Sequence, residues 1–504
     1  MNLTLINPPL AYSKSQVSAG VVPPLGVAYL AAVALRDGHK VQVIDTVGEA
    51  PDEIHDYRTG FEIRGLSFDK IANKIPKNTD LIGISNLFTF TYPVVFDMAK
   101  ALKEKRDAPI VLGGAHPSAT PVETLKSKDI DYVVISEGEQ TLLDLLDVLD
   151  GKKKEKELDG FAWKEGKQIK VNPKTKFIQD LDSLPFPARH LLPMETYFEK
   201  KEAHGPTEER WTPLISSRGC PFECTFCTPM LWQRKWRFRS AKNVVDEIEG
   251  CINDFNIHDF YFDDENMTLE KKRVFQICDE IKRRKLDITW QTPNGIRASV
   301  TDRETLAKMK EAGCKHITVA PESGSDRVLN EIMKKHQTLD QVTNVVVAAH
   351  DLGIKTAAFL LIGLPGETEA DIRKTIDYSD KLARLGLDEI SYSIFIPLPG
   401  SELYDQLKKA GKLNDSFDDL SSTMVLSLSN FGVDSKRKLS WSDVSFEKLQ
   451  QYRKKAYVRF HVLRAIYHPL STLRSFTNIL SGKQETKTER VVQTFLDRYI
   501  RGQG

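Results

Sequence analysis

Short apolar runs alternate with helical patterns along the first 150 residues of the chain. Strand-length runs fall at Leu3–Asn7, Lys40–Asp45, Asp80–Ser85, Pro109–Leu112 and Asp131–Ile135. Between them, apolar residues recurring every three or four positions predict helices near Leu25–Asp37, Ser67–Ile75, Pro93–Lys105, Ala119–Lys126 and Glu139–Leu149. Gly38 follows the first of these, where a helix end favours a left-handed residue. Strands that are apolar throughout are covered on both faces. The alternation therefore predicts an α/β domain, a doubly wound, Rossmann-like parallel sheet over residues 1–150. Such sheets bind ligands in the loops at the carboxyl ends of their strands.

The charged segment Gly151-Lys-Lys-Lys-Glu-Lys-Glu closes that domain. From there to Arg210 the pattern is irregular, with three prolines in Leu181–Pro193, and predicts a connector over 151–210 rather than a second sheet. Alternation resumes over 211–420. Strands are expected at Pro213–Ser217, His258–Asp263, Asp287–Thr292, Lys315–Ala320, Lys355–Ile362 and Glu389–Phe395. In the first intervening helix Val244, Ile248, Cys251, Ile252 and Phe255 form one apolar face. Thr301-x-x-Glu304 reads as a capping box for a later one. Six β/α units are too few for an eight-fold barrel, so a partial, open (β/α)6 barrel is expected. Residues 421–504 read as a helical region, with Ser445 to Leu480 the clearest part.

Composition adds two constraints. With 40% hydrophobic and 28% charged residues in 504, the chain is globular rather than disordered. Its net charge of +1 argues against a nucleic-acid coat protein, and no nucleic-acid partner is expected. The charge is nevertheless uneven, because residues 431–504 carry 15 Lys/Arg against 6 Asp/Glu. These include Lys436-Arg-Lys438, Arg453-Lys-Lys455, Arg459, Arg464 and Arg474, interleaved with aromatics and leucines. A basic face beside an apolar one suits peripheral contact with a membrane and a lipid-like, anionic substrate. The alternative is a helical cap with a solvated charged face. The start MNLTLINPPLAY carries no signal-peptide pattern and no run reaches membrane-span length, so a cytoplasmic setting is expected.

Six cysteines are too few for a disulfide scaffold, yet Cys220, Cys224 and Cys227 crowd into one loop directly after the first barrel strand. Three thiolates spaced C-x3-C-x2-C can each take one corner of an iron–sulfur cube and leave one iron open to a small molecule. The competing reading is a structural zinc site with a distant fourth ligand such as His190 or His204. Cys251, Cys278 and Cys314 fall on apolar faces and read as inert core thiols.

This loop, Ser217-Arg-Gly-Cys-Pro-Phe-Glu-Cys-Thr-Phe-Cys-Thr, resembles that of the radical S-adenosylmethionine enzymes. The resemblance implies that Cys220, Cys224 and Cys227 ligate a 4Fe–4S cluster whose open iron chelates S-adenosylmethionine, with Phe226 against the adenine. It extends to three further strand ends. Asp263-Asp264-Glu265 would receive the methionine amino group, Glu322-Ser323 would stand at the ribose, and the segment holding Gly363 and Gly366 would support the adenine. No cysteine precedes Cys220, so a second, N-terminal cluster of the methylthiotransferase kind is not expected.

The first domain resembles the cobalamin-binding domain of one large subclass of these enzymes. Asn7-Pro8-Pro9, Pro23-Pro-Leu-Gly26, Ser85-Asn-Leu87, Gly113-Gly114 and Ser136-Glu137-Gly138-Glu139 stand at the matching strand ends. The resemblance places cobalamin at Ser85, Leu87, Gly113, Gly114, Glu137 and Gly138. Other cobalamin domains carry D-x-H-x-x-G, whose His ligates cobalt; here Asp45-Thr-Val-Gly-Glu-Ala50 puts Val47 at that position. His-off binding is therefore expected, with His55 and His116 read as ordinary loop residues.

The resemblance implies a radical methyltransferase. Cleavage of S-adenosylmethionine gives a 5′-deoxyadenosyl radical that removes hydrogen from an unactivated carbon, and methylcobalamin supplies the methyl group. An external electron donor such as a flavodoxin or ferredoxin would reduce the cluster. The substrate is expected to be a small or lipid-like molecule. Two alternatives stand beside it: cyclisation or oxidation with the same cofactors, and a non-catalytic metal or cobalamin carrier. No Ser/His/Asp or paired-carboxylate constellation is evident, and this chemistry requires none.

Overall fold

Among the described residues, ten strands build the N-terminal part: β1 (Asn2–Asn7), β2 (Leu10–Ser13), β3 (Lys40–Asp45), β4 (Ile54–Arg58), β5 (Phe61–Arg64), β6 (Leu81–Ser85), β7 (Ile110–Gly113), β8 (Tyr132–Val134), β9 (Phe161–Glu165) and β10 (Gln168–Asn172). The structure is a computed structural model that describes residues 1–13, 21–58, 60–203, 205–207, 210–413 and 440–499. Seven of these strands form one sheet in the order β10-β9-β8-β7-β6-β1-β3. The five predicted strands are its parallel members, and apolar layers cover both faces. Ile6, Ile44, Ile84, Met98 and Leu112 pack on one side, while Leu3, Leu5, Ala31 and Leu145 pack on the other.

The connector prediction needs correction. Within residues 151–210, β9 and β10 form a hairpin turned at Gly166, and β9 pairs antiparallel with β8 at the sheet edge. The charged break before it hid a strand pair whose edge position tolerates Lys164 and Lys170. A second unpredicted feature is the antiparallel sheet β2-β5-β4. Its strands are short and polar on one face, while Phe61 and Ile63 pack with Ala11 and Val94 on the other. The helix expected over Ala119–Lys126 is two short ones, Ala115–Ala119 and Pro121–Leu125, separated by Thr120 in a non-helical conformation ahead of Pro121.

The second unit begins with β11 (Trp211–Leu214), followed by β12 (Ser217–Arg218) and β13 (Arg237–Phe238), which pair antiparallel and hold the cysteine loop between them. Then come β14 (Asp259–Phe262), β15 (Thr289–Ile296), β16 (Cys314–Glu322), β17 (Lys355–Ile362) and β18 (Glu389–Ile394). The six long strands lie in sequential order β11-β14-β15-β16-β17-β18, every neighbour parallel. This is the expected open barrel, so every loop leaving a strand's carboxyl end lies on one rim. The predicted capping box does not form, and the helix is capped one residue later by a single side chain. Asp302, not Thr301, accepts the Thr305 N–H at 2.8 Å, because Thr301 is buried and its hydroxyl donates to the Arg297 carbonyl at 3.0 Å.

Helices Phe446–Tyr467, Pro469–Ser481 and Lys487–Tyr499 follow. The first lies along the barrel helix Glu369–Arg384, with the Tyr452 hydroxyl donating to Glu369 at 2.8 Å near the rim and Arg464 reaching Asp388 at 3.2 Å near the base. Among the described residues no helix is long and apolar enough to cross a membrane. Lys436-Arg-Lys438 lies outside the described residues.

Buried charge joins the two units. Arg218 of β12 donates to Glu137 at 2.7 Å and to Glu139 at 2.6 Å, and all three are buried. Its guanidinium also lies over Trp232 at 4.7 Å and over Tyr29 of the N-terminal domain at 5.2 Å. Arg237 of β13 adds two contacts to Glu137 at 3.0 Å. Burial by itself raises the Glu139 carboxyl, but the adjacent Arg218 cation outweighs it and holds the group below the ordinary carboxylate range. Removing one partner of a buried pair strands the other, so Arg218→Ala is expected to destabilise the protein by about 3–5 kcal/mol. Lys242→Ala, which removes an exposed pair with Asp246, should cost under about 1 kcal/mol. Chemical denaturation of both variants checks this; equal losses would contradict the clamp.

Candidate functional site

The loop between β12 and β13 carries the three thiols and is braced from four directions. The Thr225 N–H donates to the Met333 carbonyl at 3.0 Å and its hydroxyl to Ile332 at 2.8 Å. The Leu403 N–H donates to the Thr225 carbonyl at 3.0 Å, and the Thr228 hydroxyl donates to Pro399 at 2.9 Å. The Gly219 N–H donates to Glu265 at 3.1 Å. Arg297, one residue beyond β15, lies over the Phe222 ring at 3.5 Å and donates to the carbonyls of Lys335 and His336. It also faces Cys220 and Cys224 electrostatically. Sequence reasoning missed Arg297; its place just past a barrel strand's carboxyl end was the available signal.

The thiols stand in a recess rather than on a flat surface. Cys227 is accessible, yet the surrounding protein desolvates it and, with Cys224 and Cys220 beside it, pushes its pKa up to about 12. Burial likewise raises Cys220. Cys251, Cys278 and Cys314 are buried free thiols, as expected for core residues. Phe226 packs against the apolar group that includes Val328, Met333, Leu364 and Phe395.

The acidic candidates separate into two sets. Asp263 and Glu265 open toward the recess. Burial, then repulsion from Asp264 and Glu265, lifts Asp263 to about 7. Burial lifts Glu265 to about 7 against the backbone N–H groups that accompany it. Asp264, by contrast, is consumed structurally: it accepts the Ser216 N–H and hydroxyl at 2.7 Å each, and the Ser217 hydroxyl as well. Glu322 ends β16 in a left-handed conformation, φ +63°, with Lys335 Nζ donating to it at 3.0 Å. A non-glycine residue held there is strained and persists only where its surroundings impose it. Ser323 is buried and bonds the Thr375 hydroxyl at 3.1 Å, so it supports the loop instead of facing the recess. Gly363 (φ +87°) and Gly366 (φ +77°) bracket the turn after β17, where buried Glu367 accepts the Gly363 and Leu364 N–H groups.

On the N-terminal sheet, Ser85, Leu87, Gly113 and Gly114 gather at the carboxyl ends of β6 and β7. Leu87 and Phe88 are 45% and 47% exposed, an apolar pair left uncovered at the strand ends. Gly114 has φ +116°, and a Cβ there would meet the Asn86 carbonyl at 2.5 Å. Glu137 is committed to the Arg218–Arg237 clamp, and Gly138 begins the helix Glu139–Leu149. Val47 is buried in the short helix Thr46–Glu49. His116 is buried too, and desolvation pushes it down to about 3.

Comparison with known proteins agrees with this geometry. Residues 214–379 match the radical SAM superfamily and residues 16–146 match the B12 binding domain, the class that open barrel, cysteine loop and preceding sheet together describe. The chain is 32% identical to an uncharacterized methyltransferase of Pyrococcus horikoshii over 80% of this chain and 83% of that one. It is 31% identical to the cytidylyl-2-hydroxyethylphosphonate methyltransferase of Streptomyces wedmorensis, covering 77% and 78%. The fold is shared with TsrM from Kitasatospora setae (TM-score 0.65, 18% identity, 81% of this chain and 78% of that one). OxsB gives TM-score 0.65 at 18% identity, with 100% of this chain and 75% of that one covered. The chain belongs to the cobalamin-dependent radical S-adenosylmethionine methyltransferase family.

The residues present suit the family's cofactors. Among the described residues no three His, Cys, Asp or Glu side chains close around a single metal ion, whereas an iron–sulfur cube takes one thiolate at each corner iron. Of the alternative zinc ligands, His190 is exposed on a short turn and His204 lies outside the described residues. Asp263 and Glu265 offer carboxylates to an ammonium group, and the bared Leu87–Phe88 pair offers an apolar face to a flat macrocycle. Cys220→Ala, Cys224→Ala and Cys227→Ala should each abolish the iron content and visible absorption of anaerobically reconstituted protein, leaving its circular dichroism unchanged. Cys278→Ala should retain full iron content; equal iron loss there would refute the assignment.

Proposed function

We propose that this chain methylates an unactivated carbon of a small-molecule substrate at the cleft between the N-terminal sheet and the barrel rim. The observation that carries this reading is the clamp. Arg218, two residues before Cys220, is held by Glu137 in the loop after β8 and by Glu139 at the start of the next helix, and the Ser136 hydroxyl donates to the Leu231 carbonyl. The carboxyl-end loops of the sheet therefore abut the segment that bears the thiols. When bound, the cluster with S-adenosylmethionine supplies a hydrogen-abstracting carbon radical, and cobalamin supplies the methyl group.

The chain's own residues position and shield. Cys220, Cys224 and Cys227 hold the cluster, while Arg297 and Phe222 fix their loop. Asp263 and Glu265 orient an amino group, Glu322 receives ribose hydroxyls, and the Gly363–Gly366 turn supports adenine. Phe226 and its apolar neighbours exclude water from one wall, which a radical requires. Leu87, Gly113 and Gly114 would hold cobalamin, and Val47 would offer it no ligating atom. An external donor of the flavodoxin or ferredoxin type would supply the electron that this chemistry needs. The free buried cysteines fit a reducing cytoplasm, and the basic C-terminal region makes peripheral contact with a membrane.

A second reading, cyclisation or oxidation with the same cofactors, has its support in 28% identity to the anaerobic magnesium-protoporphyrin IX monomethyl ester cyclase of Rubrivivax gelatinosus, over 77% of this chain and 67% of that one. Incubation with methyl-deuterated S-adenosylmethionine and candidate substrates separates the two. The expected outcome is 5′-deoxyadenosine release with a product carrying the deuterated methyl group. A product that has lost hydrogen and gained no label would favour cyclisation or oxidation. Absence of 5′-deoxyadenosine from iron-replete protein would exclude both.

A further inference from the structure

A buried cation beside Glu322 has no part in the proposed reaction. Lys335 is 7% exposed, and its Nζ stands 3.0 Å from Glu322 Oε1 and 6.0 Å from the centre of the Phe226 ring. It thus lies between the carboxylate read as facing ribose and the ring read as facing adenine. An ammonium carries three donors. Among the described residues Glu322 takes one of them, and no acceptor takes the other two. A buried donor left in that state points to a ligand.

The backbone is built to hold the side chain there. Residues 333–337 link the single-turn π-helix Val328–Ile332 to the helix Leu339–Asp351. Lys334 and His336, on either side of Lys335, are left-handed at φ +51° and +50°, a costly conformation for residues other than glycine. Both are exposed, and Lys334 turns away to pair with Glu402 at 2.7 Å, whereas Lys335 turns inward. The Lys335 N–H donates to the Leu329 carbonyl at 2.9 Å, and the Gln337 N–H donates to Asn330 Oδ1 at 3.2 Å. The Met333 carbonyl accepts from Thr225 in the cysteine loop, and the Lys335 carbonyl accepts from Arg297. Bonds to its main chain therefore fix this loop without help from the Lys335 side chain. What the side chain does fix is the Glu322 carboxylate, whose own backbone is left-handed at φ +63°.

We infer that Lys335 is a positioning residue, which aims the Glu322 carboxylate into the recess and with it selects a ribose over a deoxyribose in the adenosyl ligand. The inference rests on the reading that Glu322 receives ribose hydroxyls, and it adds the residue that aims Glu322 and the selectivity that follows. A hydroxyl donates one hydrogen bond and accepts others. Next to this ion pair, one ribose hydroxyl donates to the carboxylate and accepts from the ammonium at the same time. A ligand lacking that hydroxyl leaves a desolvated ammonium proton and a carboxylate oxygen unpaired, which costs more than the bond itself contributes. Lysine suits the task because its compact ammonium has rotatable donors to spare.

The test is anaerobic isothermal titration calorimetry of the reconstituted full chain with S-adenosylhomocysteine and its 2′-deoxy and 3′-deoxy counterparts. One of the deoxy ligands should bind the wild type about tenfold more weakly, the loss expected for an unmade hydrogen bond to a charged group. Lys335→Met should weaken S-adenosylhomocysteine about tenfold and shrink that discrimination to under about threefold. Lys335→Arg should restore most of both, and iron content should match the wild type throughout. A lysine that only braces the fold would weaken every ligand by one factor and leave the ratio unchanged, which overturns the inference. So does a loss for S-adenosylhomocysteine with none for 5′-methylthioadenosine, which has the ribose but no carboxylate, since the cation would then serve the amino-acid end. If Lys335→Met loses iron, Lys335→Gln is measured in its place, and iron loss in both also overturns the inference. Glu322→Gln separates the two levels. Collapse of the ratio there without collapse in Lys335→Met removes the inference and keeps the ribose reading, whereas a wild type that does not discriminate counts against the ribose reading itself.

Discussion

The buried guanidinium of Arg218 is the constraint on which the arrangement of this protein depends. It stands two residues before Cys220 and satisfies two carboxylates of the other domain at once, Glu137 and Glu139. A planar, permanently charged fork can serve both, whereas lysine presents a single point charge. Because all three groups are out of water, their cost is recovered only when the domains meet in this one geometry. Arg237 on the same Glu137, and Arg189 with Arg239 on Glu247, repeat the device around the interface. The cysteine loop and the loop after β8 are thereby held as one surface.

That constraint explains why acidic residues adjacent in sequence take different work. Asp264 ties the end of β11 through Ser216 and Ser217, while Asp263 and Glu265 on either side face the recess. Glu137 carries the domain clamp although it stands in a loop at the carboxyl end of the sheet's strands. Ser323 holds a neighbouring helix through Thr375, and Glu322 beside it keeps its strained backbone at the recess. Asp263, Glu265, Cys220 and Cys227 are shifted toward their protonated forms by burial, a state that bound cationic partners relieve. The groups already neutralised by protein donors maintain the frame.

Much of the architecture was legible in the sequence, for a stated reason. Strands buried on both faces must be apolar throughout, so the five parallel strands of the first sheet and the six of the barrel stand out against helical periodicity. The hairpin β9–β10 and the sheet β2-β5-β4 did not, because edge and two-sided strands mix polar with apolar positions. The start of helix Arg303–Glu311 was misplaced by one residue because Thr301 and Asp302 can both cap, and only burial of Thr301 decides between them. The thiol loop was legible because its spacing is local. Arg297 and Lys335 were not, since each acts across a distance that only folding closes.

The basic C-terminal region shows the same division. Its cations and apolar residues are plain in the sequence, and so is the ambiguity between a lipid-facing surface and a cap on the barrel. The structure packs one face of Phe446–Tyr467 on Glu369–Arg384 and leaves another bare. By itself the sequence determined the parallel strands of both sheets and which three thiols share a loop, because periodicity and spacing act over a few residues. Only the tertiary structure decided which carboxylates are spent on holding the domains together. That outcome depends on pairing and burial between residues far apart in the chain.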